Sequence, residues 1–159
     1  MTRRLLPFLL SAALFVVDRL SKVWIDRNIG AFDTWAIIPG FFNIIHAENR
    51  GMAFSLMADW TSAWRGLFLI GVSSAVLIFV VVMLWQAKTL LQRSALTLVL
   101  GGASGNLYDR VVRGSVTDFL DVYVGDYHWP TFNVADSAIT VGALLLVSEL
   151  LLSRGKHVS

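Results

Sequence analysis

Four long apolar stretches dominate the chain, and segments of a different pattern separate them. They cover about residues 5–25, 66–85, 94–109 and 134–152. A helix needs roughly 20 predominantly apolar residues to cross the hydrocarbon core of a bilayer. The pattern therefore predicts an all-α membrane protein with four transmembrane helices.

The two long connections between these stretches have a shorter period. The first, residues 28–60, contains FFNIIH after an IPG turn, and the second, residues 114–132, contains SVTDFLDVYV. β-Branched and aromatic residues at this density favour strands. We therefore expect a small β-rich cradle outside the membrane, in which Asp118 is presented from a strand and lines a cavity.

Two further features follow the first of these strands. NRGMAFS, residues 49–55, has Gly51 beside an amide and a guanidinium, which indicates a backbone that approaches another group closely. The next segment, MADWTSAWRG, contains Trp60 and Trp64. Indole side chains favour the headgroup level, so this segment predicts a short interfacial helix.

Basic residues indicate how the chain is oriented, because cytoplasmic loops collect Lys and Arg. They lie before the first apolar stretch, between the second and third, and after the fourth: Arg3, Arg4, Lys88, Arg93, Arg154 and Lys156. We interpret the first stretch as a retained span, since no convincing small-residue cleavage site follows it. Both termini are then predicted in the cytoplasm, and both strand-containing connections on the outer side.

Composition narrows the class of protein further. The chain has 159 residues, of which 56% are hydrophobic and 15% charged, with a formal net charge of +2. Its mean hydropathy is +0.66. These values are too apolar for an ordinary soluble domain, and the length suits one membrane domain, residues 1–159. The absence of basic runs argues against nucleic-acid binding, and the absence of cysteine excludes thiolate chemistry.

The stretch between residues 101 and 137 concentrates amide and ionisable side chains beside apolar helices. They are Asn106, Asp109, Arg110, Asp118, Asn133 and Asp136. An unpaired charge at the edge of a bilayer costs at least a few kcal/mol, so a function should account for this cluster. The simplest chemical interpretation is acid–base work by Asp118 and Asp136 on a substrate that arrives from the membrane.

Other chemistries fit the residues less well. His46, His128 and His157 stand in no recognisable nucleophile–base pattern, which argues against a serine hydrolase. No run of clustered ligands predicts a metal site, and we expect no cofactor. A carboxylate pair that shares one proton supplies both an acid and a base, which suffices to hydrolyse a peptide bond with an activated water.

The residues alone leave alternatives open. Asp118 and Asp136 could instead belong to a charge cluster around Arg110, and Arg110 could either tune the pair or brace the chain through backbone carbonyls. A small transporter or assembly subunit that relays protons is the competing class, although a transport path needs ionisable groups throughout the bilayer depth. We expect Asp109 to form a salt bridge with Arg110. We expect Asp121 and Asp126 to be solvated.

Within the first and third apolar stretches, several residues are notable for their spacing. Asp18 and Lys22 lie one helical turn apart, so we expect them to pair, either as a local interfacial pair or in support of the site. Gly101, Gly102 and Gly105 would let another backbone approach closely.

Five motifs together resemble one family. VVDRLSK, NRGMAFS, GGASGNLYDR, VTDFLD and FNVADS, in this order and spacing, are similar to the lipoprotein signal peptidase (signal peptidase II) family of bacterial membranes, across nearly the whole chain. Four residues depart from the usual pattern. Ser104, Tyr108 and Thr117 stand where the family usually has aliphatic residues, and Met52 where it usually has a small one.

The resemblance implies an aspartic endopeptidase with Asp118 and Asp136 as its catalytic pair. Residues expected to bind substrate or support the pair are Asn49, Gly51, Asn106, Arg110, Asn133 and Ala135; Asp18, Lys22 and Asp109 are expected to be structural. The implied reaction removes the signal peptide of a prolipoprotein just before a diacylglyceryl-modified cysteine, at the outer face of the bacterial cytoplasmic (inner) membrane. Gly101 to Gly105 would leave space for small substrate side chains. The implied partners are prolipoproteins and membrane lipids, and we expect a monomer.

Overall fold

The computed structural model describes residues 2–51 and 62–155. The described chain contains four long helices and four short strands. The helices are α1 (Thr2–Asn28), α2 (Ser62–Gln86), α3 (Leu90–Arg113) and α4 (Val134–Gly155). The strands are β1 (Thr34–Ile38), β2 (Phe42–Asn49), β3 (Val116–Val124) and β4 (Tyr127–His128). The predicted combination of long helices with a small sheet is confirmed.

The strands form one antiparallel sheet in the order β1-β2-β3-β4. Both segments predicted as strands, FFNIIH and SVTDFLDVYV, lie in its central pair. In β2 and β3, Ala47 is opposite Asp118 and Asn49 is opposite Val116, and the register shifts between Ile44 and Ala47. The sheet therefore brings the first long connection beside the second.

Helix α3 is the centre of the helical part, because it packs against α1, α2 and α4. Thr89 caps its N-terminus by accepting a hydrogen bond from the backbone N–H of Gln92. Its C-terminus is set by Gly114, which adopts a left-handed conformation with φ of 75°. The helix therefore continues four residues beyond the predicted end at Asp109. Arg110, which the predicted end at Asp109 would leave outside the helix, is therefore part of α3.

Among the described residues, two helical segments are long and apolar enough to cross a bilayer, Trp64–Gln86 and Val134–Leu152. The other two long helices carry more charged side chains along their length. In α1, Asp18 and Lys22 are fully buried, whereas Leu9 and Leu20 are about two-thirds exposed. The interfacial helix predicted around Trp60, like Met52, falls mainly outside the described residues; α2 has begun by Ser62.

Candidate active site

Asp136 lies in the first turn of α4, where a reciprocal capping arrangement fixes it. The side chain of Asn133 accepts a hydrogen bond from the backbone N–H of Asp136 at 2.9 Å, and the backbone N–H of Asn133 donates to Asp136 Oδ2 at 3.3 Å. This is the capping box that satisfies exposed N–H groups at a helix start. The sequence FNVADS thus begins the helix and orients the carboxylate together.

Asp118 lies in β3 and is 1% exposed. Its Oδ2 accepts from Asn49 Nδ2 at 3.0 Å, and its Oδ1 accepts from Asn133 Nδ2 at 2.7 Å. Burial raises the pKa of Asp118 to about 6, with a further rise from the negative charge of Asp136 that the two amide donors oppose. The carboxyl therefore keeps its proton to higher pH than an exposed aspartate does.

Three asparagines surround the two aspartates in the same manner. Asn133 bonds to both carboxyl groups, Asn49 to Asp118, and Asn106 Nδ2 to Asp136 Oδ1 at 2.7 Å. In each amide the oxygen accepts from a fixed donor, so the nitrogen is the atom that faces a carboxylate. The predicted cluster is therefore one hydrogen-bonded assembly.

The donors that fix two of these amides explain two predicted positions, Gly51 and Lys22. The backbone N–H of Gly51 donates to Asn49 Oδ1 at 2.9 Å, and Lys22 Nζ donates to Asn106 Oδ1 at 3.0 Å. Gly51 has φ of +77°, and a β-carbon there would lie 2.3 Å from Leu69 Cδ1. The expectation of close backbone packing at Gly51 is confirmed.

A buried charge network lies behind the amides. Lys22 Nζ is 2.8 Å from Asp18 Oδ2 and 2.7 Å from Asp109 Oδ2, and all three side chains are fully buried. Arg19 pairs with the other oxygen of Asp109. Two cations thus balance two anions, which is the condition for keeping charges inside a protein.

The same network reaches the start of α4. Asp18 Oδ1 accepts from the backbone N–H of Ala135 at 3.0 Å. Ala135 is itself fully buried, and its backbone oxygen lies against Gly102. The pairing predicted for Asp18 and Lys22 is therefore confirmed, and the pair also contacts residues beside the two aspartates.

Arg110 differs from its expected surroundings. It does not pair with Asp109, whose partners are Arg19 and Lys22, so that prediction is wrong. Adjacent helical residues point in different directions, which separates the two side chains. Arg110 instead donates to the backbone oxygen of Asn106 at 3.3 Å, within electrostatic range of Asp136 and Asp118.

The α3 glycines provide close packing and leave no room for a substrate. A β-carbon on Gly101 would lie 2.9 Å from the Ser11 backbone oxygen in α1, and one on Gly102 would lie 2.4 Å from the Ala135 backbone oxygen in α4. At Gly105 it would lie 2.3 Å from Asp18 Oδ2. The predicted close approach is confirmed. The prediction of space for substrate side chains is wrong, because the neighbouring helices fill it.

Asp121 is a further correction. It is 4% exposed, and it accepts hydrogen bonds from Asn43 Nδ2 at 2.9 Å and lies 2.8 Å from His128 Nδ1. In the alternation of β3 it follows Phe119 onto the buried face, which the period of two residues could have indicated. Asp126, in contrast, is exposed as expected.

The sequence interpretation gave no role to Arg19 or to the group Asp26, His46, Arg113 and Thr117, which are joined by polar contacts. For Arg19 the local pattern is misleading. It places Arg110 directly beside Asp109, so Asp109 has a plausible cation nearby and Arg19 is left without an expected partner. The other group joins distant segments, so no local pattern reveals it.

The described site offers two carboxyl groups, amide donors and a nearby guanidinium. Across residues 2–51 and 62–155, no group of three or more His, Asp or Glu side chains is arranged as a metal site. Two carboxyl groups linked through shared amide donors are the groups that acid–base hydrolysis by an activated water requires.

Comparisons with known proteins agree with this geometry. The family model described as Signal peptidase (SPase) II matches residues 10–152. A lipoprotein signal peptidase of Solibacter usitatus is 51% identical over 143 residues, covering 89% of this chain and 87% of that protein. One of Yersinia pseudotuberculosis is 42% identical over 146 residues, covering 91% and 85%.

Solved structures give the same result at the level of the fold. One described as a bacterial membrane enzyme has a TM-score of 0.83 at 29% identity and covers 94% of this chain and 90% of its own. A second with that description has a TM-score of 0.81 at 30% identity and covers 91% and 92%. Family model, relatives and fold agree, and the chain belongs to the signal peptidase II family.

Proposed function

We propose that this protein is an aspartic endopeptidase that removes signal peptides from prolipoproteins, cleaving just before a diacylglyceryl-modified cysteine. The observation that carries the proposal is the single amide of Asn133, which bonds to Asp118 while its capping box holds Asp136. Because the spacing of the two carboxyl groups depends on one rigid helix cap, they are held as a pair. Family membership supplies the substrate class.

The two carboxyl groups differ in a way that suits two roles. Asp118 retains a proton to about pH 6, so it can act as the acid that protonates the leaving amine. Asp136 lies in the first turn of α4, where its two oxygens accept hydrogen bonds from Asn106 Nδ2 and from the backbone N–H of Asn133, so it can act as the base. Asp136 removes a proton from water, and the hydroxide adds to the scissile carbonyl carbon to give a tetrahedral intermediate. The C–N bond then breaks as Asp118 delivers its proton to the leaving nitrogen. The proton held by Asp136 returns to Asp118 through solvent after the products leave, which restores the starting state.

The asparagines and Arg110 would orient this chemistry without exchanging protons. The amide donors of Asn49, Asn106 and Asn133 bond to the carboxyl groups and leave the acid–base work to Asp118 and Asp136. A fixed guanidinium near both acids disfavours double protonation, so Arg110 supports the singly charged pair.

A substrate anchored by lipid requires a site that is reached from the membrane. Each buried CH₂ contributes about 0.8 kcal/mol, so a diacylglyceryl group does not leave the bilayer readily. We propose that all four helices cross the bacterial cytoplasmic membrane with both termini inside and the sheet outside. The inward charges and outward leucines of α1 support this arrangement. Reporter fusions at Gln92 and Gly125 that fall on the same side of the membrane would contradict it.

The test is a cleavage assay with the purified protein and a prolipoprotein, with and without its diacylglyceryl group. We expect release of the signal peptide from the lipidated form. Asp118→Asn and Asp136→Asn should each reduce the rate by about 10³-fold or more while the protein stays folded, because an amide cannot exchange the proton. Asp126→Asn, an exposed acid beside the same sheet, is the matched control. Substantial turnover in either site variant would assign the catalysis to other residues.

A further inference from the structure

A second polar cluster joins the ends of two helices to the sheet, and it includes the residue before Asp118. Arg113 donates through one nitrogen to Asp26 Oδ2 at 2.5 Å and to Thr117 Oγ1 at 2.9 Å. Thr117 Oγ1 donates in turn to Asp26 Oδ1 at 3.2 Å. The three side chains, one each from α1, α3 and β3, therefore form a closed ring of contacts, which we call the 26–113–117 clamp.

His46 of β2 extends the contacts of this clamp. Its Nε2 lies 3.4 Å from Asp26 Oδ1, and its Nδ1 lies 2.9 Å from the backbone oxygen of Ile29. His46 falls inside the irregular register between Ile44 and Ala47 of β2. An interruption of this kind redirects a side chain from its regular alternation. Strands β2 and β3 are thus both connected to the end of α1, through His46 and Thr117.

The clamp and the candidate catalytic pair lie on opposite faces of β3. Consecutive strand residues point to opposite faces, so the Thr117 hydroxyl is directed away from the Asp118 carboxyl. Thr117 is nevertheless 1% exposed, and a buried hydroxyl needs hydrogen-bond partners. Asp26 and Arg113 provide them. An aliphatic residue at this position would make neither bond.

The position of Asp118 depends on the backbone that the clamp holds. The backbone oxygen of Thr117 accepts from Asn133 Nδ2 at 3.3 Å, and the same nitrogen donates to Asp118 Oδ1 at 2.7 Å. Displacement of Thr117 would therefore move both acceptors of the amide that joins Asp118 to Asp136. The register shift in β2 removes regular pairing just before Ala47, the partner of Asp118. The side-chain contacts of the clamp hold the backbone near Asp118 where this regular strand pairing is missing.

We propose that Asp26, Arg113 and Thr117 act as a positioning clamp that holds Asp118 at its working distance from Asp136. Thr117 is a positioning residue, since it touches no reacting atom. The inference rests on the proposed function, because it assigns the clamp's effect to the catalytic pair.

The test compares Thr117→Val with Thr117→Ser in the cleavage assay. Valine keeps the branched shape of threonine and loses the hydroxyl. We expect kcat to fall about tenfold or more with KM unchanged, because a small misplacement of a reacting group lowers the rate of the chemical step. Serine keeps the hydroxyl and should restore most of kcat. Thr34→Val, the same change at an exposed position of β1, should have no effect. Thermal unfolding of each variant reports the folded fraction.

A double-mutant cycle addresses the clamp as a unit. If Thr117 acts through Asp26, adding Thr117→Val to Asp26→Asn should lower kcat no further than the larger single change does. Multiplicative effects would overturn the proposal, as would a Thr117→Val variant with unchanged kcat per folded molecule. Either result, combined with an inactive Asp118→Asn, would reject the clamp alone. An active Asp118→Asn would reject the proposed function instead.

Discussion

Helices α2 and α3 are neighbours of nearly equal length, with 25 and 24 residues, yet their glycines have very different surroundings. In α2 a β-carbon added at Gly66 or Gly71 would meet nothing within 4 Å. In α3 each of Gly101, Gly102 and Gly105 would clash with α1 or α4. The first helix contacts the rest of the protein along one side, whereas the second is enclosed.

The difference follows from what each helix carries. From Gly66 to Gln86, α2 has no ionisable residue, and its apolar side chains are largely exposed. α3 brings Asn106 and Asp109 inward, where they meet Lys22 of α1. Buried charges require closely placed partners on every side, so the helix that holds them has to pack without gaps. The chemistry of the site and the tight packing of α3 therefore have one cause.

The largest effect on this contrast should come from Lys22→Met. The change keeps the length of the side chain and leaves Asp18 and Asp109 buried without their shared cation, which costs about 3–5 kcal/mol of unfolding free energy. It also removes the donor that orients Asn106 toward Asp136, so cleavage should fall in the molecules that fold. Thermal unfolding in detergent and the cleavage assay measure the two effects.

Lys88→Met is the control for Lys22→Met, because Lys88 is exposed between α2 and α3. It should leave both measurements unchanged. Equal stability of the two variants would mean that the buried network contributes nothing, and the contrast between α2 and α3 would lose its electrostatic basis.

A smaller effect, with a defined pH dependence, is expected for Asp118→Asn. The folded pKa of Asp118 is about 6, above its ordinary value of 3.8. Between about pH 4 and pH 6 the folded state holds more protons than the unfolded state, so the unfolding free energy falls as the pH rises, and it is level above that window. Asparagine does not titrate in this range, so the unfolding free energy of the variant does not gain this pH dependence.

The variant should therefore be more stable than the wild type above pH 6, by about 3 kcal/mol at most. The gain in stability should be smaller than this, because the new amide nitrogen is a donor and would face the donor nitrogen of Asn49 or Asn133. The advantage should vanish near pH 4, and Asp126→Asn should show none at any pH. Parallel stability curves for Asp118→Asn and the wild type across pH 4 to 6 would contradict the assignment of a buried, destabilising carboxylate.

These predictions also mark what the sequence could and could not provide. The apolar stretches and strand composition were sufficient for four long helices and a small sheet, and the motif order indicated the two aspartates that Asn133 joins. By hydropathy, α2 and α4 qualify as spans among the described residues, whereas in α1 and α3 the charges of Asp18, Lys22 and Asp109 count as polar although they are buried. Hydropathy reports side-chain chemistry and does not report the partner that neutralises it.

Pairings between distant segments were the part that sequence could not predict. Asp109 was assigned to its neighbour Arg110, but helix geometry directs it to Arg19 and Lys22, which lie about 90 residues away. Asp121 was expected in solvent, but β3 places it against Asn43 of the adjacent strand. Local spacing determines which residues share a face, and only the fold determines what that face meets.

The smallest effect, and the most direct comparison of the two helices, is alanine at one glycine of each. Gly71→Ala should stabilise α2 by up to about 1 kcal/mol, because alanine is the better helix former and the space is open. Gly105→Ala gains the same propensity, but its methyl group would lie 2.3 Å from Asp18 Oδ2. The buried carboxylate of Asp18 has to move to remove this clash. We expect the movement to lower the unfolding free energy by about 1–3 kcal/mol, the usual cost of adding a methyl group to a filled core.

The two glycines should also differ in activity. Asp18 Oδ1 accepts from the N–H of Ala135 at the start of α4, next to Asp136, so displacing Asp18 should disturb the proposed catalytic pair and lower kcat. Gly71→Ala should leave kcat unchanged, since α2 carries none of these contacts. Gly105→Ala with full stability and full activity would show that the enclosed helix has as much freedom as the exposed one. That result would remove the link drawn between close packing of α3 and the chemistry of the site.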